Sequence, residues 1–342
     1  MTVAHKLQVV AALASAVALE ATAGLSAAGT STSPDAGTVM TASAESRLSI
    51  VLEKEVGSGS QVFVRNLSGT RQHQLTVGPG SAEMPRWGPF GHRILYLRSP
   101  PNDARLPDLM VMGAGGNHER RLLAGGSTSF VYDMAWSPSG RRIVLARTLT
   151  NSYSDLFIYT LATGTLTRMH VNSEPDRDPV TVDWAPDGRI FFSAVDYTQA
   201  ADNFQDHDLY MVRPDGTGLT QLTDSPLRDE IVPRVSPDGQ RLAYAERSSA
   251  CWSVRIADPD VTRSDRLPTD CKAFQASWSA HGNRVLLQKI NAQGGFVTRI
   301  MAPDGTRRRF LTKGQNADWR PFPAPVGDQP GRWRVLRAAG GG

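Results

Sequence analysis

One short pattern constrains this chain more than any other: an aromatic or apolar residue, any residue, proline or a substitute, any residue, then glycine. It occurs as Trp87-Gly88-Pro89-Phe90-Gly91, Trp136-Ser137-Pro138-Ser139-Gly140 and Trp184-Ala185-Pro186-Asp187-Gly188. It continues as Val235-Ser236-Pro237-Asp238-Gly239 and Trp278-Ser279-Ala280-His281-Gly282, so successive markers lie 49, 48, 51 and 43 residues apart. Proline presets φ for the second position of a turn, and glycine supplies the positive φ that closes it. A unit of this length, repeated, is one supersecondary element that cannot bury its apolar faces alone and must stack on copies of itself.

The clearest unit runs from Asp183 to Asp224. Pro186-Asp187-Gly188 and Pro214-Asp215-Gly216 each sit between apolar runs, which predicts two hairpins and therefore four short strands. A sixth marker, Trp319 in Ala317-Asp318-Trp319-Arg320-Pro321, comes 41 residues after the fifth, and no strands follow it. At the other end, Leu48–Leu52, Gln61–Asn66 and His73–Val77 read as three strands with no marker strand before them. The two halves complete one another if the chain closes on itself. The expected architecture is all-β: a six-bladed β-propeller, its ring closed by a C-terminal strand that completes the N-terminal blade. Stacking the blades would bury Trp87, Trp136, Trp184 and Trp278 between neighbours and leave no unprotected end.

The residues that carry this pattern, Trp-Ser/Ala-Pro-Asp-Gly, then Asp208-Leu209-Tyr210-Met211-Val212, then Pro214-Asp215-Gly216-Thr217 and Leu219-Thr220, resemble the TolB-type β-propeller repeat, a WD40-like bacterial module. The likeness covers residues 47–323 and is strongest from Asp183 to Gly239. It implies a six-bladed propeller that binds partners in the cell envelope. The α/β domain that TolB carries at its N-terminus has no counterpart here; only a Gly/Ala/Ser/Thr linker precedes the propeller.

The rest of the chain sets the compartment. Lys6 precedes an apolar run from Leu7 to Leu19, and Ala21-Thr22-Ala23 offers small residues for cleavage, the pattern of a secretory signal peptide. The expected division is signal peptide 1–23, flexible linker 24–46, propeller 47–323 and disordered basic tail 324–342. No later stretch is long and apolar enough to span a bilayer as a helix. The expected location is periplasmic or extracellular, the expected state a monomer. Net charge is only +4, from 37 basic and 33 acidic residues interspersed, which argues against a nucleic-acid partner. The two cysteines, Cys251 at the start of a third strand and Cys271 after Arg266-Leu267-Pro268, would face each other across a hairpin centred on Val261 and form a disulfide.

A motif repeated six times is scaffold, so function is sought where the blades differ. With strands numbered one to four from the channel outward, the one–two turns share one face and are uniformly short. The two–three loops of three consecutive blades, Ser99–Pro107, Thr148–Ser154 and Asp196–His207, are longer and share the opposite face, where binding residues are expected. The candidate contacts are Tyr153, Asp196, Tyr197, Asp202, Phe204, Asp206 and His207, joined by Arg177 and Asp229 from crossovers that would ring the channel mouth. Those crossovers are read as containing Tyr132 and Asp133, Glu174 to Asp178, and Arg228 to Glu230. Asp196, Asp202 and Asp206 are weak candidates for Ca²⁺; no other metal or cofactor is expected. Asp208, like Asp108 and Asp155, opens a third strand and reads as structural. There is no G-x-S-x-G nucleophile motif and no zinc spacing. The sequence therefore favours a non-enzymatic module for an envelope or extracellular protein, or for a cell-wall glycan. The alternative is a polysaccharide lyase or hydrolase using carboxylates at the channel mouth.

Overall fold

The computed structural model describes residues 48–321 apart from 58, 102–105, 127–128, 149–152, 172–176, 197–206, 226 and 249–250. The described residues build six four-stranded antiparallel sheets and no helix. Each sheet after the first is formed by four consecutive strands. The first is split: the C-terminal strand Gln315–Trp319 pairs with Leu48–Val56, which continues to Gly59–Asn66 and Gln72–Gln74. The ring therefore closes as the repeat count requires.

Blades are numbered from this split one. Their innermost strands are Gln315–Trp319, Ser81–Trp87, Val131–Trp136, Arg177–Trp184, Arg228–Val235 and Ala273–Trp278. Each marker residue pairs with the start of the second strand: Trp319 with Ile50, Trp87 with Ile94, Trp136 with Ile143, Trp184 with Ile190, Val235 with Leu242 and Trp278 with Val285. The paired residues are seven apart in blades two, three, five and six and six apart in blade four, whose turn is one residue shorter; in blade one closure of the ring, not a turn, makes the pair. In blades two to six the glycine N–H donates to the carbonyl three residues earlier, at 2.8–3.0 Å. Its φ lies between +63° and +94°. A side chain there would be strained, which is why the last marker position is glycine every time.

Trp87, Trp136, Trp184 and Trp278 are 5–7% exposed and sit in the apolar clusters between blades. Three of these rings also carry an arginine from the preceding blade. Arg320 lies 5.1 Å over Trp87, Arg142 5.1 Å over Trp184 and Arg241 4.7 Å over Trp278. Such contacts stabilise by roughly 0.5–2 kcal/mol each and tie neighbouring blades together.

A second repeated device holds each blade's outer edge. Asp108 accepts from the Gly125 N–H at 2.6 Å, Asp155 from Val171 at 3.1 Å, and Asp208 from Ser225 at 3.4 Å and from the Thr223 hydroxyl at 3.2 Å. Each carboxylate clips the opening of strand three to the chain leaving strand four, as the recurrence of aspartate implied. Gln61 serves the same purpose in blade one, donating to Gly80 O at 3.0 Å. The equivalent residue of blade five is Ser253, and there the clip is covalent and two residues earlier: the disulfide Cys251–Cys271, with Cα atoms 4.4 Å apart.

The disulfide forms as expected, but the pairing that suggested it is one residue out. Strands three and four pair Arg255 with Arg266, Ile256 with Asp265 and Ala257 with Ser264. The fourth strand ends at Arg266, because Pro268 lacks the N–H needed to extend the ladder. Cys271 lies beyond it in the crossover to blade six, reaching Cys251 by a bend in the chain.

The expected crossovers are also corrected. Tyr132, Asp133, Asp178 and Arg228 to Glu230 are strand residues, in the innermost strands of blades three, four and five, and Arg177 begins one of them. Their alternation with apolar residues is the pleat of a buried strand rather than an exposed loop. Glu174 lies outside the described residues, as do the proposed signal peptide, the linker and the basic tail.

Candidate functional site: a floored funnel on the tryptophan–proline face

The innermost strands converge on a cavity of about 280 Å³ at the face of the one–two turns. Its rim is built from the markers themselves: the aromatic residues or Val235, and Pro89, Pro138, Pro186, Pro237 and Pro321. Phe90, 54% exposed, stands beside this rim next to the Gly140 turn. Blades three to six carry the polar residues Ser139, Asp187, Asp238 and His281 at its position.

The residue before each marker forms a ring below the rim. In blade order it reads Asp318, Arg86, Ala135, Asp183, Arg234, Ser277: acid, base, neutral, twice over, so opposite blades carry like residues. Each inner strand carries a β-bulge near this level, seen as a register shift between its pairs, and the bulge re-aims the side chains at the ring. Asp318 accepts from the Trp87 N–H at 2.8 Å and from the Ser277 hydroxyl at 2.7 Å, joining blades one, two and six. Asp183 accepts from the Val235 N–H at 2.7 Å.

Asp133 closes the bottom. Its carboxylate reaches Arg234 Nη2 at 2.9 Å and Arg86 Nη2 at 3.4 Å, and accepts from the backbone of Met134 at 2.9 Å and of Val182 at 3.2 Å. Arg86 and Arg234 belong to opposite blades, so this triad crosses the channel and gives the funnel a floor. Burial works to raise the Asp133 carboxyl, but Arg234, Arg86 and the two backbone donors together hold it below its usual range. For Arg234 burial is likewise outweighed, by Asp133 and Asp183, and its pKa rises. Burial and Arg234 push Arg86 the other way, and burial raises Asp183 despite Arg234. Three buried donors of the lining find no protein acceptor: Arg86 Nη1, Trp87 Nε1 and Trp136 Nε1. By contrast, Trp184 Nε1 donates to Gly188 O at 3.0 Å and Trp278 Nε1 to Arg234 O at 2.8 Å. The free donors are therefore on the side of blades two and three, below Phe90.

The described sequence-predicted contacts lie at the opposite face. Tyr197, Asp202, Phe204 and Asp206 fall outside the described residues. Asp196 ends the second strand of blade four opposite Arg177. Tyr153 is 44% exposed. Two candidates meet at the seam of blades four and five: buried His207 places Nδ1 3.0 Å from Asp229 Oδ1, and Arg247 Nε lies 3.5 Å from Asp229 Oδ2. These groups tie the seam together. Arg177 stacks 5.0 Å over the Tyr210 ring of its own blade. Two acids of this half are perturbed. Burial, then Asp208, pushes the Glu230 carboxyl up to about 8, and burial, then Glu53, pushes Glu83 up to about 7. They lie in blades five and two.

Sequence reasoning missed the charged ring. The only signal was positional, a charged residue immediately before the marker in four of six repeats, and it is visible only once the repeats are aligned.

Fold, ring closure and floored channel define a six-bladed β-propeller. No family model matches the chain. A segment of 138 residues is 32% identical to the protein TolB homolog of Chlorobium luteolum; it spans 40% of this chain and 30% of that relative. Among solved structures, TolB from Acinetobacter baumannii superposes with a TM-score of 0.65 at 17% identity, over 80% of this chain and 66% of that one. The oligogalacturonate lyase from Vibrio parahaemolyticus superposes at 0.54 and 13% identity, over 78% and 75% respectively; at such identities the likeness is one of fold. The chain is a TolB-like six-bladed β-propeller.

Proposed function

We propose that this chain is an exported, non-enzymatic interaction module, a monomer that holds a segment of an envelope or extracellular protein in the funnel of its tryptophan–proline face. The observation that carries this reading is the funnel itself: an aromatic and proline rim over a floor whose carboxylates are already committed to internal partners. Asp133 and Asp318 are spent on bonds between blades, which suits a rigid receptor better than a proton-transfer site. The apolar rim and the unpaired donors beneath Phe90 fit a polypeptide that supplies apolar side chains and acceptor groups. Tyr153, Asp196 and His207, on the opposite face, are proposed as part of a second contact surface. Export is supported by the signal-like N-terminus and by the disulfide, which persists in oxidising compartments.

The alternative, a lyase or hydrolase acting on polysaccharide, has the raised acids Glu230 and Glu83 in its favour. Glu230 is 2% exposed, and the two acids belong to different blades. Neither acid lines the funnel.

The test places a photo-crosslinking amino acid at Phe90 in one variant and at Tyr153 in another, each expressed in the native envelope. A discrete adduct from position 90, lost when Trp136 is also replaced by a smaller aromatic, supports the funnel. Adducts from position 153 alone would move the site to the other face. Release of unsaturated or reducing ends from cell-wall glycan by the purified protein would replace the binding reading with the enzymatic one.

A further inference from the structure

The clip of blade five differs chemically from those of the other blades, and its surroundings are those of an exchangeable bond. Where Asp108, Asp155 and Asp208 use a carboxylate, blade five uses Cys251 and Cys271. Cys271 is exposed and Cys251 half-buried, so an incoming thiolate has access to one sulfur more than the other. The guanidinium of Arg266 lies against the bond, closer to Cys251: Nη2 is 2.9 Å from Cys251 Sγ and 3.7 Å from Cys271 Sγ. A cation beside a sulfur stabilises its thiolate and makes it a better leaving group. The accessible sulfur and the cation-supported sulfur are thus different atoms, the arrangement that directs exchange to one end of the bond.

We propose that Cys251–Cys271 is a thiol-exchange site: a low-molecular-weight or protein thiolate attacks Cys271 Sγ, and Cys251 departs as a thiolate held by Arg266. The new bond joins the incoming sulfur to Cys271, the old Sγ–Sγ bond breaks, and its electron pair stays on Cys251. With a dithiol, the second thiolate attacks the sulfur of the first in the mixed disulfide. This expels the Cys271 thiolate and passes two electrons from the dithiol to the protein.

The structural consequence is confined to the crossover. Residues 267–272 bond largely within themselves, Thr269 N–H to Leu267 O and Lys272 N–H to Asp270 O, both at 2.7 Å. Their ties to the blades include Leu267 N–H to Val254 O at 2.8 Å, Ile290 N–H to Lys272 O at 3.1 Å, the Trp252–Lys272 bridge, the Asp270–Lys289 ion pair and the buried Leu267 side chain. Opening the disulfide removes the one covalent tie and leaves the strands of blades five and six paired. A thiol adduct on Cys271 would stand on the same face as Tyr153.

Three measurements decide it. The native chain is treated with glutathione, quenched with acid and mapped by peptide mass spectrometry. Glutathione is expected on Cys271 with Cys251 free, and a predominant adduct on Cys251 overturns the direction of attack. The rate of disulfide opening by dithiothreitol is compared for the wild type, Arg266→Gln and Arg266→Lys, in buffer and in denaturant. Loss of the guanidinium is expected to slow opening severalfold in buffer, the Brønsted-scaled effect of a higher pKa on the leaving thiol. Lysine should restore part of the rate, and the difference should vanish in denaturant. Equal native rates for wild type and Arg266→Gln would overturn the role of Arg266. Finally, amide exchange at 267–272 is expected to rise on reduction, and equally in a Cys251→Ser/Cys271→Ser variant, with the inner strands unchanged. Exchange that rises throughout blades five and six would mean that the bond is a global staple rather than an exchangeable clip.

Discussion

Removing the Asp133 carboxylate should destabilise the ring more than its single side chain suggests, because it leaves two guanidiniums without their counter-ion. Asp133 is 1% exposed, and Arg86 and Arg234 reach it with side chains that are each 9% exposed. Breaking one member of such a buried network costs roughly 3–5 kcal/mol, which for a chain of this size lowers Tm by roughly 5–9 °C. Asp133→Asn keeps the shape and isolates the charge. The decisive comparison is a triple variant, Arg86→Met/Asp133→Leu/Arg234→Met, which removes all three charges at similar volume. It is expected to recover most of the loss, because desolvation of the charges disappears along with their attraction. The pH dependence gives an independent check. Asp133 titrates below its ordinary 3.8 in the folded chain, so its contribution is complete above about pH 4. It is lost as pH falls through the depressed folded value. The gap in Tm between wild type and Asp133→Asn should therefore be largest near neutrality and shrink as the pH drops below 4. Thermal unfolding followed by tryptophan fluorescence measures all of this. A Tm change under 2 °C for Asp133→Asn, or a triple variant as unstable as the single one, would refute the argument.

Glu230 should act in the opposite sense. Its carboxyl is pushed from an ordinary 4.5 to about 8, so the folded chain holds a proton that the unfolded chain releases; stability is full below about 4.5 and declines as pH rises toward 8. Glu230→Gln is expected to flatten that decline in urea titrations run between pH 5 and 9, and an unchanged slope would assign it elsewhere. Asp208→Ala removes the clip of blade four and should cost about 1–3 kcal/mol; faster amide exchange at Thr223 and Ser225, with blade two unaffected, would identify the cause. Trp136→Ala opens the seam between blades two and three and should cost about 3–5 kcal/mol; a loss below 1 kcal/mol in denaturant titration would contradict its packing role.

Most of the scaffold is legible in the sequence because it is built from local chemistry. The markers fix the turns through proline and glycine, the alternation between them fixes the strands, and the unmatched halves at residues 48–77 and 317–322 announce closure. The structural aspartates are legible for the same reason, as recurrences at one place in the repeat. The disulfide partners were found, but their register was not: Pro268 ends the strand early, and a bend rather than a ladder brings Cys271 to Cys251. Charged residues near the channel were harder. Tyr132-Asp133 and Arg228-Asp229-Glu230 look like exposed crossovers in one dimension, yet they are strand positions, all but Arg228 buried, and Asp133 and Asp229 find partners on other blades.

By itself the sequence determined the unit, the number of units and the way the ring closes, because each depends on residues within one repeat or on counting repeats. Only the tertiary structure decided which charges meet. Arg86, Asp133 and Arg234 come from three different blades, as do Asp318, Trp87 and Ser277. No pattern within one blade says that Asp133 will serve two opposite arginines. That follows from closing six twisted sheets around a channel narrow enough for one carboxylate to reach across, and the same closure turns six scattered turn motifs into the rim of one funnel.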